Sequence, residues 1–242
     1  MTHIPRGTFD PTAIVEDAEG WIGLLVLEGL VAVALDAGPA QIGWLVGDND
    51  LIRPWDMGEI SLTQQSSWHA LSITRVALLD GDFSRRVGGA PAAVVARTAQ
   101  TTHWLLAKSL IVSAPVIEDR LLLLFALLAE RWGRVRPEGV WLELPLTHDW
   151  LARLCGARRP SVSTALGSLG EEGLVECTHR GCWLLHGSPS PRRARAWAEN
   201  PCWRRYAAAI GFSAGGDVGD QGTPGSARDS VRMLRPLRAS GR

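Results

Sequence analysis

Lysine is almost absent from this chain of 242 residues, because Lys108 is the only one and arginine supplies the rest of the 25 basic side chains. The 25 acidic side chains bring the formal net charge to zero, which by itself argues against a nucleic-acid-binding protein. The zero, however, hides a division. Residues 1–186 hold 15 basic and 21 acidic side chains, whereas residues 187–242 hold 10 and 4. The average charge is therefore a poor guide to partners.

Cysteine is scarce and confined to one end of the chain. The four cysteines are Cys155, Cys177, Cys182 and Cys202. No two of them have the Cys-x-x-Cys spacing of zinc and iron–sulfur sites, so we predict no metal site. Their small number predicts reduced thiols in a cytoplasm. A glycine-rich phosphate loop and a nucleophile elbow are also missing, which predicts a protein that is not an enzyme and has no cofactor.

Long apolar runs are missing as well. Residues 21–35 are interrupted by Glu28, and residues 121–129 are bracketed by charges, whereas a membrane span needs about 20 apolar residues. The N-terminus does not show the basic and then apolar pattern of a secretory signal. We expect a cytoplasmic protein without membrane contact.

The first 80 residues have the pattern of short strands. Apolar runs at 24–27 and 30–35 flank Glu28-Gly29, which indicates a tight turn or a bulge. Residues 41–46 read as a further strand, and residues 68–79 as a strand pair or one long bent strand. Short strands with frequent turn signals predict a small antiparallel barrel or jelly roll.

Helical patterns follow. Residues 91–112 begin with Pro91, which suits a first helical turn, and their thin apolar seam indicates pairing with a second helix. Residues 119–132 are apolar nearly all round, which is typical of a helix buried at a domain junction. Residues 213–227 are rich in glycine and small polar side chains and predict disorder.

The most specific pattern lies at residues 147–169. Thr147 is a predicted helix cap, Gly156 a predicted turn, and Pro160 the start of a second helix. That helix carries an apolar stripe at helical spacing, made of Val162, Ala165, Leu166 and Leu169. Two helices joined by a short turn indicate a helix-turn-helix. Residues 175–177 and 182–185 then predict a hairpin, or wing, with Cys177 and Cys182 opposite each other. We expect two free thiols there in preference to the alternative, a cross-strand disulfide.

These residues resemble the Crp/Fnr-type bacterial transcription regulators. The helix-turn-helix resemblance covers residues 146–166 and 169–175, and residues 24–33 and 46–52 resemble the first hairpin and the Gly-Asp turn of the family's effector domain. The resemblance implies an α+β protein in four parts. These are a cyclic-nucleotide-binding-like antiparallel β-roll at 1–90, a dimerisation helix at 91–114, a winged helix-turn-helix at 115–187, and a basic, largely disordered tail at 188–242.

The resemblance breaks at the effector site. Members that bind cyclic AMP carry Gly-Glu and then Arg-Ser or Arg-Thr around the cyclic phosphate, which needs a cation and hydroxyl donors. Arg53-Pro54 and Gln64-Gln65 stand at these places here. The resemblance therefore implies the family's fold but not the binding of cyclic AMP. An oxygen-sensing cluster is not expected either, because no cysteine precedes Cys155. The candidate effector residues are Arg53, Glu59, Gln64, Gln65 and Ser66.

The DNA-reading residues depart from the family pattern Arg-Glu-x-x-x-Arg, since Arg159, Pro160 and Thr164 stand at those places. Arg159 is expected to bond guanine, and Thr164 a thymine methyl group or a phosphate. The other predicted contacts, Arg158, Ser161, Ser163 and Arg180, lie at the helix start, on its polar face and on the wing.

The prediction is a homodimer that binds palindromic double-stranded DNA and regulates transcription, with RNA polymerase as a further candidate partner. It is constitutive or controlled by a small-molecule effector other than cyclic AMP. The alternative is an effector-binding signalling module whose winged helix docks on a protein.

Overall fold

The chain is described from a computed structural model. The structure describes residues 1–14, 21–37, 40–54, 65–80, 83, 90–178, 181–186 and 201–209. Antiparallel strands make up its N-terminal part, and helices followed by a second antiparallel sheet make up the rest. The α+β class expected from the sequence is confirmed.

Two antiparallel sheets form the N-terminal β-roll. The strands are β1 (Thr2–Ile4), β2 (Gly7–Phe9), β3 (Trp21–Glu28), β4 (Leu30–Ala37), β5 (Ala40–Gly47), β6 (Leu51–Ile52), β7 (Gln65–Ala70) and β8 (Thr74–Asp80). One sheet has the order β1-β8-β3-β6 and the other β2-β7-β4-β5. Residues 68–79 thus belong to a strand pair rather than to one bent strand.

Apolar side chains between the two sheets form the core of the β-roll. They include Val26 and Val76 from one sheet and Val33, Val46 and Trp68 from the other. The Trp68 ring packs edge-on against Trp44, with centroids 6.3 Å apart. Trp68 is therefore buried in this core, and Trp44 is half-buried against it.

Two helices follow the β-roll. Helix α1 (Ala90–Ser113) contains the helix expected at 91–112, and α2 (Ile117–Trp132) contains the one expected at 119–132. Seven residues of α2 are buried, Leu121, Leu122, Leu124, Phe125, Ala126, Leu128 and Ala129, which explains its apolar sequence. No helix among the described residues is long and apolar enough to cross a membrane.

The C-terminal unit is a winged helix. Strands β9 (Gly133–Arg136) and β10 (Gly139–Leu142) precede α3 (His148–Cys155) and α4 (Arg159–Glu171), and β11 (Val175–Cys177) and β12 (Trp183–Leu185) complete a sheet of order β11-β12-β10-β9. The register pairs Cys177 with Trp183, so the expectation that Cys182 stands opposite Cys177 is wrong. Cys182 accepts from the amide of Thr178 instead, because the hairpin loop begins one residue later.

A further helix, α5 (Pro201–Ala209), lies in the tail and packs on α2. Helix α5 is the part of the expected tail at 188–242 that the structure describes. Its three consecutive alanines form a helix at little entropic cost, and Ala209 packs against the helical core. Residues 213–227, which carry the disorder prediction, lie outside the described residues.

One core continues from the β-roll into the winged helix. Leu30, Ala32, Leu45 and Leu71 of the β-roll belong to the same buried cluster as the apolar residues of α2, α3 and α4. Polar contacts accompany it. The Arg131 guanidinium of α2 lies 2.8 Å from a carboxylate oxygen of Asp50, and Arg153 of α3 lies 3.4 Å from one of Asp36.

Candidate nucleic-acid interface

Helix α3 begins and ends as its sequence predicts. The Thr147 hydroxyl accepts a hydrogen bond from the Trp150 amide and caps the helix. At the other end Gly156 has φ +61° and ψ +42°, a left-handed conformation that a side chain disfavours. This turn sets the angle between α3 and α4, so the two helices form a helix-turn-helix.

Helix α4 presents one apolar face to the protein and one polar face outward. Arg158 is its N-cap residue, and Pro160 lies in its first turn, where no amide hydrogen is needed. The predicted stripe of Val162, Ala165, Leu166 and Leu169 is buried. Arg158, Arg159 and Thr164 are exposed, so two permanently charged guanidinium groups stand at the start of the outward face.

The hydroxyl groups of α4 are used partly within the protein. Ser163 Oγ lies 2.9 Å from His148 Nδ1 and 3.1 Å from the carbonyl oxygen of Arg159. The Thr164 hydroxyl donates to the carbonyl of Pro160. Ser163 thus links the two helices of the motif. Ser161, two residues earlier in the chain, is half-buried.

An open cleft of about 650 Å³ lies beside the start of α4. Arg159, Thr147 and His148 line one part of it, and Cys177 and Gly181 of the wing line another. The structure therefore brings the helix start and the wing to one surface. Arg180, the predicted wing contact, lies outside the described residues.

Three of the candidate effector residues, Arg53, Gln65 and Ser66, lie among the described residues. The Arg53 guanidinium follows β6 and donates to the carbonyl oxygens of Trp21 and Ile22 at 2.8 and 3.0 Å. Ser66 and Gln65 lie in β7 of the other sheet, with Ser66 exposed. Glu59 and Gln64 lie outside the described residues. Arg53 thus bonds the backbone at the start of β3.

Sequence reasoning missed two side chains that the structure places at this surface. His148 connects α3 to α4, because its Nδ1 lies 2.9 Å from the Ser163 hydroxyl oxygen. Arg6, 153 residues before Arg159 in the chain, lines the same cleft. No local pattern signals either role, because each depends on tertiary packing. The described residues contain no group of side chains suited to hold a metal ion.

Comparison with known proteins agrees with this geometry. Residues 119–186 match the family of Crp-like helix-turn-helix domains. The anaerobic regulatory protein of Bacillus subtilis is 34% identical over 59 residues, which are 24% of this chain and 25% of that protein. The chain therefore matches about a quarter of the length of this curated relative.

Solved structures agree over a longer stretch. A transcriptional regulator of the CRP family from Thermus thermophilus has a TM-score of 0.60 at 19% identity, covering 89% of this chain and all of that one. A CooA mutant from Carboxydothermus hydrogenoformans has a TM-score of 0.59 at 18% identity, covering 76% and 82%. At these identities the likeness concerns the fold. Residues 119–186 are thus similar to a Crp-like helix-turn-helix domain, and the fold of the chain is similar to that of these regulators.

Proposed function

We propose that this chain is a homodimeric transcription regulator that binds palindromic double-stranded DNA in the cytoplasm. The exposed face of α4 carries the proposal, because Arg158 and Arg159 open it and the opposite face is buried in the protein. In a helix-turn-helix the second helix enters the major groove and reads base edges with its first residues. Arg159 reads guanine in this proposal, and Thr164 contacts a thymine methyl group or a phosphate.

The remaining predicted contacts have backbone roles in this proposal. Arg158, Ser161 and Arg180 bind phosphates, which orient a protein on DNA without reading its sequence. Ser163 is a weaker candidate for a phosphate, because its hydroxyl already has two partners within the protein. The four-part division at residues 90, 114 and 187 is part of the same proposal, with residues 188–242 as a basic extension.

A dimer is supported by the surface of α1. Leu105, Leu106 and Leu110 are 51%, 61% and 57% exposed on this helix, and a group of large exposed apolar side chains typically marks an interface. Two copies joined along α1 would present two α4 helices to successive major grooves, about 34 Å apart. RNA polymerase is a further proposed partner.

The control of this regulator is proposed to be independent of cyclic AMP. Arg53 is bound to backbone carbonyls, and glutamine stands where the family places its phosphate-binding arginine. The β-roll would then act on α4 by shifting the population of domain orientations, in response to another effector or constitutively.

Selection of bound DNA from a random pool tests the proposal. We expect a palindromic consensus, and Arg159→Ala should remove about 1–3 kcal/mol of discrimination at one base pair of each half-site. Arg134→Ala is the matched control, because Arg134 is an exposed arginine of the same unit that lies on β9 near Glu143. Recovery of a stable protein partner without any DNA affinity would favour the alternative, a signalling module that docks on protein.

A further inference from the structure

Arg6 occupies an unexpected place for a residue of the β-roll. It lies in the turn between β1 and β2 and is exposed. It also lines the cleft that Arg159, His148 and Gly181 line from the winged helix. Two arginines from distant parts of the chain therefore face one open space beside the start of the reading helix.

The position of this turn is fixed by a series of contacts. Strand β2 pairs with β7, which places Thr8 opposite His69, and the Thr8 hydroxyl lies 3.1 Å from His69 Nδ1. The His69 ring packs edge-on against Trp150 of α3 at a centroid distance of 5.2 Å. Only Gly7 therefore separates Arg6 from Thr8, the strand residue that is linked through His69 to the first helix of the motif.

The chemistry of the cleft suits a phosphate. Arginine binds phosphate oxygens with a planar, always charged group, and the first turn of α3 at Thr147 adds backbone amides at a positive helix end. Asp149 is the acid among the lining residues, and its carboxylate lies 3.3 Å from the Arg153 guanidinium. A cleft of about 650 Å³ is the size of a small-molecule site, which admits part of one nucleic-acid strand but not a duplex.

We infer that Arg6 binds a backbone phosphate of the DNA that α4 reads, so that the β-roll itself forms part of the DNA interface. The inference rests on the proposed function and adds a contact outside the winged helix. A phosphate contact carries no sequence information. Its loss should weaken binding to cognate and to unrelated DNA by the same factor, unlike the loss of Arg159.

The salt dependence of DNA binding tests the inference. Each neutralised phosphate contributes about 0.9 to the slope of log affinity against log salt, and a dimer holds two copies of Arg6. The slope for Arg6→Gln should therefore be smaller than that of the wild type by about 1.8. The ratio of the wild-type DNA affinity to that of Arg6→Gln should accordingly be about tenfold larger at 50 mM than at 200 mM salt.

Two matched variants separate this effect from a general loss of charge or of fold. Arg75→Gln removes a partly exposed arginine of the same β-roll, one that lies 3.0 Å from Glu28, and should leave the slope unchanged. Arg6→Lys keeps the charge and should keep the slope. If the wild type binds DNA but Arg6→Gln has the same slope or a higher affinity, the inference about Arg6 is wrong and the proposed function stands. A wild type without DNA affinity overturns the proposed function as well.

Discussion

Lys108, the single lysine of the chain, lies half-buried on α1 and donates a hydrogen bond to the carbonyl of Gly43 in β5. Burial lowers the pKa of its amine from 10.5 to about 8. Between these two pH values the unfolded chain holds more protons than the folded protein, so the free energy of unfolding rises with pH. Below the folded pKa both states are protonated, and the cost of burying the charge is fully present.

We therefore expect Lys108 to add about 1 kcal/mol to the free energy of unfolding between about pH 7 and about pH 9. Urea unfolding of the wild type and of Lys108→Met at both pH values measures this. The free energy of unfolding should increase from pH 7 to pH 9 more for the wild type than for the variant. Burial also raises the pKa of the Cys155 thiol to about 12. The folded thiol therefore stays protonated up to pH 9 with or without the Lys108 charge, so Cys155 contributes equally to both proteins over this range. The same change in the free energy of unfolding for both proteins would contradict the lowered pKa of Lys108.

Residues with local roles could be predicted from the sequence, whereas residues with long-range roles could not. Thr147, Gly156 and Pro160 act within one turn of the chain, so their residue types alone predict the cap, the turn and the helix start. Lys108 contacts a strand 65 residues away. Arg6 lines the α4 cleft from a part of the chain that Thr8, His69 and Trp150 link in series to α3.

At the scale of elements, α1 exposes apolar side chains that α2 does not. Its leucines at 105, 106 and 110 are more than half exposed, while α2 is buried against the β-roll and the winged helix. We expect the double variant Leu106→Glu and Leu110→Glu to be a folded monomer, because like charges then face each other across the proposed dimer seam. Size-exclusion chromatography with light scattering measures the mass.

Val135→Glu is the control for this substitution. Val135 is 76% exposed on β9, so the same apolar-to-acidic change there should leave the dimer intact. If the α1 variant remains dimeric, another surface joins the copies.

The sequence pattern predicted the pairing of this helix from its thin apolar seam, but it did not predict α5 or β9. A nine-residue helix and a four-residue strand acquire their stability from packing on α2 and β10.

At the scale of the whole molecule, the β-roll and the winged helix share one buried core. Strand β5 lies directly on α3, and a Cβ atom at Gly43 would be 3.1 Å from the Cβ of Arg153. On the other side of the junction, the Arg131–Asp50 ion pair is largely buried, with 14% and 9% of the side chains exposed. Separating the β-roll from the winged helix would expose the shared core and leave each charge of this buried pair without its partner, which is costly. We therefore expect the two units to unfold together.

Gly43→Leu tests this coupling, because a leucine side chain has no room between β5 and α3 and must move the winged helix away from the β-roll. Scanning calorimetry at one protein concentration should show a single transition for the wild type and two for the variant. Gly167→Leu is the matched control. A Cβ atom at that exposed position of α4 meets nothing within 4 Å, and replacing a helical glycine gains about 0.5–1 kcal/mol. The control should keep one transition at a slightly higher temperature, and two transitions in the wild type would show that the shared core does not couple the units.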